Sequence, residues 1–77
     1  MIETFKELDF KPLPIDGEQA IMCFANGYSV KVSNGLGAFC DHETFEVSVH
    51  FEGYYLYSKY HQTEQQITDL MAFIQEL

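Results

Sequence analysis

The chain has 77 residues, with twelve acidic side chains against four lysines and no arginine, and a formal net charge of -8. A chain of this length forms one domain that buries only about 60% of the surface it exposes when unfolded. The charge disfavours contact with a nucleic-acid backbone, which requires clustered Lys and Arg, and favours a basic protein partner. No run approaches the roughly 20 apolar residues of a membrane span and no secretory apolar region stands at the N-terminus, so the expected setting is the cytoplasm, with Cys23 and Cys40 as thiols.

Residues 1–17 show no clear period. Phe5, Leu8, Phe10, Leu13 and Ile15 are scattered among charges, and Pro12 and Pro14 exclude a continuous helix or a central strand beyond Lys11. The reading is a short helical turn or edge strand over residues 3–10 followed by an extended connector, with a turn at Asp16-Gly17.

From Glu18 to Ser33 the pattern is a hairpin with Asn26-Gly27 at its tip, the dipeptide that a type I′ turn favours. Counting outward from a two-residue turn pairs Ala25 with Tyr28, Cys23 with Val30 and Ile21 with Val32 on the core face. The same count leaves Met22 and Phe24 on the solvent side beside Ser29 and Lys31. A second Asn-Gly, at Asn34-Gly35, turns the chain into a short strand over 36–40 that sets Phe39 beside Val30.

The organising stretch is Phe45 to Tyr60, two alternating strands joined at Glu52-Gly53. The same counting pairs Phe51 with Tyr54, Val49 with Leu56, Val47 with Ser58 and Phe45 with Tyr60 on an apolar face. The opposite face pairs His50 with Tyr55, Ser48 with Tyr57 and Glu46 with Lys59. Thr63 then caps a helix with Gln66 completing a capping box, and Ile67, Leu70, Met71, Ile74 and Leu77 form its buried stripe while Phe73 points off it.

The expected fold class is α+β: an antiparallel β-meander of about five strands, 18–25, 28–33, 36–40, 45–51 and 54–60, with one C-terminal helix packed on one face. It is a single domain over 1–77, with an extended N-terminal segment 1–17, a sheet over 18–60 and a helix over 63–76.

Chemistry is sparse in this chain. Cys23, Cys40, His42, His50 and His61 match none of the usual structural zinc spacings, and no local signature supports Cys40 with His42 as a nucleophile and base. The segment 34–37 lacks the lysine and the strand-to-helix context of a phosphate loop. The expectation is therefore no catalytic residue, no metal and no cofactor. The candidate binding surface is the aromatic side of the sheet, with Met22, Phe24, Lys31, His50, Tyr55 and Tyr57, where apolar and tyrosine side chains are exposed together. Burial of such a patch predicts a homo-oligomer.

Four segments resemble a group of small tailed-phage accessory proteins. These are Phe10-Lys11-Pro12, Gly17-x-Gln19-Ala20, Phe24-Ala25-Asn26-Gly27-Tyr28-Ser29-Val30 and Phe45-Glu46-Val47-Ser48-Val49. The corresponding features of that group are an extended Phe-Lys-Pro, a Gly-Thr-Gln-Ala strand start, an Asn-Gly-Tyr-Gly hairpin and a Tyr-Glu-Ile-Ala-Val strand before a glycine turn. The likeness runs from Phe5 to Tyr60 and rests on turn and strand motifs. It implies a non-enzymatic phage-type protein of the host cytoplasm that binds and inhibits a host component, plausibly an anti-phage defence factor. The alternatives are a sponge for a small nucleotide signal, with Tyr55, His50 or Lys31 lining the pocket, and a small enzyme or metal-binding domain.

Overall fold

The structure, a computed structural model, describes residues 3–14, 16–35 and 43–77. A five-stranded antiparallel sheet in the order β1-β2-β3-β4-β5 consists of β1 (Lys11–Pro12), β2 (Glu18–Cys23), β3 (Tyr28–Ser33), β4 (Phe45–Phe51) and β5 (Tyr54–Gln62), followed by the helix α1 (Glu64–Gln75). The expected α+β meander with a C-terminal helix on one face is what the chain forms.

The first strand is a two-residue pairing of Lys11 and Pro12 with Gln19 and Glu18, where the sequence suggested only a connector. A two-residue partner suits a proline, which has no N–H for a longer ladder. The expected strand over 36–40 lies outside the described residues. Val30 itself has Met22 on one side and Val49 on the other.

The β2–β3 hairpin corrects the sequence reading by one residue. Met22 lies opposite Val30 and Ala20 opposite Val32, with Cys23 opposite Ser29. Phe24 N–H donates to the Tyr28 carbonyl at 2.8 Å and Gly27 N–H to the Phe24 carbonyl at 3.2 Å, so the loop has three residues, Ala25 to Gly27, rather than two. Gly27 takes φ +92° while Asn26 does not take a positive φ. A type I′ turn needs positive φ at both central residues; a three-residue loop ending in a left-handed glycine does not. The slip turns every side chain of β2 over. Met22 and Phe24 pack against the core, and Cys23 and Ile21 are exposed on the reverse face.

Glu52 and Gly53 do form the expected two-residue turn, with φ of 49° and 89°, and Phe51 faces Tyr54 while His50 faces Tyr55. Beyond that the ladder shifts. Val49 faces Tyr57, Ser48 faces Ser58 and Val47 faces Lys59, so Leu56 is an extra residue in β5. A second shift pairs Phe45 with Gln62, setting Tyr60 and His61 against Glu46, and His61 takes φ 55°. Two β-bulges thus bend β5. The expected Val49–Leu56, Val47–Ser58, Ser48–Tyr57, Glu46–Lys59 and Phe45–Tyr60 pairs do not form.

The core lies between the helix face of the sheet (Ala20, Val30, Val32, Phe45, Val47, Val49) and the helix stripe Ile67, Leu70, Met71 and Ile74. Fully burying an Ile or Met of that stripe contributes roughly 1.5–3 kcal/mol relative to exposure. Leu77, expected in the stripe, is 57% exposed because the helix ends at Gln75. The Thr63 hydroxyl accepts from Gln66 N–H at 3.2 Å and the Gln66 side chain from Thr63 N–H at 2.8 Å, the predicted capping box.

Residues 3–10 cover what the helix leaves bare at one end. Glu3 N–H donates to the Gln75 amide oxygen at 2.8 Å and Phe5 N–H to the Thr68 hydroxyl at 3.2 Å, while Phe5, Phe10 and Phe45 stack their rings within 5.1–5.7 Å. Asn26 ties the other end down, its amide donating to the Ile74 carbonyl at 2.9 Å. At the sheet's lower edge a Cβ on Gly17 (φ +86°) would run into the Asn34 carbonyl. The buried Asn34 side chain accepts from Glu18 N–H at 3.1 Å, so glycine there lets two backbone segments touch.

Candidate functional site

The largest exposed apolar feature among the described residues is β5. Its residues Tyr54, Tyr55, Leu56, Tyr57 and Tyr60 are all exposed, Tyr54 at 77%, and none of its nine residues is buried. Three causes combine. β5 is the last strand of the sheet and so, among the described residues, lacks a neighbour on one side. The bulge at Leu56 reassigns the following residues to the opposite faces from those that simple alternation gives. The helix stripe packs over the strands that carry Val30, Val32, Val47 and Val49, leaving the outermost strand uncovered.

Cross-strand partners share a face, which sorts these side chains. Tyr54 and Tyr57, opposite Phe51 and Val49, belong to the helix face together with Lys59, opposite Val47. Above the same face stands the helix flank away from the N-terminal segment, with Phe73 59% exposed and Leu77 beside it. Leu70 and Phe73 follow one another at helical spacing, and Leu77 lies just past the end of the helix.

Tyr55, opposite His50, belongs to the reverse face. The His50 and Tyr55 rings meet edge to face with centroids 5.6 Å apart, His50 Nε2 lies 3.2 Å from Ser48 Oγ, and the Tyr55 hydroxyl is 2.8 Å from Ser58 Oγ. Lys31, opposite Ser48, and Ser29, opposite His50, complete this side.

Of the six sequence-predicted surface residues, Lys31, His50 and Tyr55 come together on the reverse face. Tyr57 is exposed on the helix face, and Met22 and Phe24 are withdrawn into the core. Cys23, expected in the core, is exposed. Tyr54, Leu56 and Tyr60 were assigned to the core by unbroken alternation and are exposed. Ile21 at 63% was missed through the one-residue slip of β2, and Leu77 because the helix stops at Gln75. One signal in the sequence favoured the observed β2 register: Ala20, Met22 and Phe24 carry more apolar volume than Ile21, Cys23 and Ala25.

Chemistry at the reverse face is limited by burial. A Ser–His contact is the start of a nucleophilic pair, but Ser48 is buried, so its hydroxyl is closed to a substrate. A shallow groove of about 280 Å³ runs beside Lys31, with Leu13 and Pro14 on one side and Asp16 and Glu46 among its lining. Among the described residues no group of three or more His, Cys, Asp and Glu side chains is placed to hold a metal, and no helix is long and apolar enough to cross a membrane. Cys40 and His42 lie outside the described residues. The chain matches no family model, no curated protein and no solved structure.

Proposed function

We propose that the protein is a non-enzymatic accessory protein of the phage type that binds and inhibits a host component, a defence factor in the host cytoplasm. The observation that carries this reading is the tyrosine-rich edge strand. A run of exposed Tyr and Leu is costly to leave in water and supplies rigid contact area at low entropic cost. The acidic remainder of the surface steers the chain toward a basic partner, and Tyr55 with His50 and Ile21 provides the apolar anchor on the reverse face.

A nucleotide sponge would use Lys31, His50 and Tyr55 on that same face. The groove beside Lys31 is lined by Asp16 and Glu46, whose charge repels a phosphate, so this reading has less support. The test is affinity purification from host lysate followed by reconstitution of the captured protein with purified chain. One basic partner is expected, its affinity falling with added salt and falling about tenfold in Tyr55→Ala. Binding unchanged by Tyr55→Ala and by salt, or release of a small phosphorylated molecule on heat denaturation, would contradict the proposal.

A further inference from the structure

The structure assigns the outer side of β5 to a second copy of this chain: two β5 strands pair antiparallel across a two-fold axis, joining the sheets of two protomers into one. This inference rests on reading β5 as a contact strand and names its first occupant.

The charge distribution favours a copy over a basic partner at this position. In a chain with twelve acidic residues, the nine residues from Tyr54 to Gln62 contain no carboxylate, and Lys59 and His61 are their only basic groups. Two copies of net charge -8 repel, and the point at which they approach most cheaply is the strand that carries none of that charge. A basic ligand, by contrast, is drawn to the acidic surface and to Tyr55 on the reverse face, away from the helix-face side of the strand.

The geometry is self-complementary. Between the bulges at Leu56 and at Tyr60-His61, the straight part of β5 is Tyr57-Ser58-Lys59. A two-fold axis at Ser58 sets Tyr57 opposite the second copy's Lys59 on the helix face, twice by symmetry, so each ammonium rests against a tyrosine ring. With the axis perpendicular to the sheet, both helices stand on the same side. The exposed side chains of Phe73 and Leu77 and the rings of Tyr54 and Tyr57 then line one shared apolar seam.

The area is sufficient. The exposed parts of Tyr54, Leu56, Tyr57, Tyr60, Phe73 and Leu77 amount to about 600 Å² per protomer. Lys59 and the strand backbone bring this near the ~800 Å² per partner of a standard interface. The far edge of the sheet begins with β1, two residues long and half proline, a poorer ladder for pairing than β5.

The test is the mass of the purified full chain at tens of micromolar, by native mass spectrometry and light scattering, with circular dichroism to confirm folding. The wild type is expected at twice the 8.9 kDa chain mass. Lys59→Glu and Tyr57→Lys are each expected to weaken dimerisation at least tenfold. An equimolar mixture of the two variants recovers it, because one symmetric contact then keeps its Tyr–Lys pair and the other joins opposite charges. A monomeric wild type, a dimer that survives both substitutions, or variants that fail to recover on mixing would overturn the inference. A monomer that still captures a host protein in a Tyr55-dependent way leaves the proposed function standing and removes the dimer. A dimer that captures nothing does the reverse.

Discussion

β4 and β5 lie side by side in one hairpin and are similarly rich in apolar and aromatic residues, yet β4 buries Phe45, Val47, Ser48 and Val49 while β5 buries nothing. The difference comes from position. β4 has a strand on either side and the helix stripe above it, whereas β5 has, among the described residues, a neighbour on one side only and two bulges that bend it. Hydrophobicity proposes burial, and the number of neighbouring elements decides it. A strand left this way in a stable fold is where an external partner is expected to supply the missing cover.

The sharpest way to break the comparison is to place the same charge on both members of one cross-strand pair. Val49→Asp buries a carboxylate that has no partner, which exceeds the roughly 3–5 kcal/mol that a core of this size supplies. The variant is expected to be unfolded by circular dichroism. Tyr57→Asp, directly across the ladder, is expected to stay folded and lose about 1 kcal/mol or less in urea denaturation of dilute protein. Equal losses would mean that β5 is covered in the folded chain.

The helix offers the same contrast at a smaller scale. Met71→Ala removes a fully buried side chain and is expected to cost about 2–5 kcal/mol. Phe73→Ala, two residues on and largely exposed, is expected to cost under about 0.5 kcal/mol in dilute protein. A larger loss that grows with protein concentration would report the shared seam directly.

Glu52 sits in the left-handed region at the tip of the β4–β5 hairpin, a conformation that asparagine tolerates better than glutamate. Glu52→Asn is expected to raise stability by about 0.5–1 kcal/mol, read as a higher denaturation midpoint, by strengthening a turn that already has the type I′ shape. The corresponding Asn26→Gly change in the β2–β3 loop is expected to lower stability by about 1 kcal/mol, because it removes the bond to the Ile74 carbonyl.

The smallest effect concerns the N-terminal cover. The hydrogen bond from the Thr4 hydroxyl holds the Glu7 carboxyl below its ordinary value against the opposing effect of desolvation, with a smaller lowering from the Thr4 backbone N–H. A depressed carboxyl contributes stability that is fully present above its unfolded value of 4.5 and is lost as pH falls through the lower folded value. Between those values an acid titration of thermal stability is expected to fall slightly more steeply in wild type than in Glu7→Gln.

What was legible in the sequence was local. The capping box at Thr63 and Gln66, the stripe from Ile67 to Ile74 and the Glu52-Gly53 turn each depend on residues within a few positions of one another, and each formed as read. Register over longer distances did not follow from counting. The bulge at Leu56 and the left-handed His61 carry no glycine or proline to announce them, and Asn26-Gly27 serves a three-residue loop as well as a two-residue turn. One slipped residue sent Met22 and Phe24 inward and Ile21 and Cys23 outward. The pairing of His50 with Tyr55 survived because it lies one step from the turn, ahead of the first bulge.

The most direct measurement is amide hydrogen exchange across β4 and β5 as the protein is taken from dilute solution to tens of micromolar. Exchange at Tyr57, Ser58 and Lys59 is expected to slow as concentration rises while Val47 and Val49 stay equally protected throughout. Exchange along β5 that is the same at every concentration would contradict this.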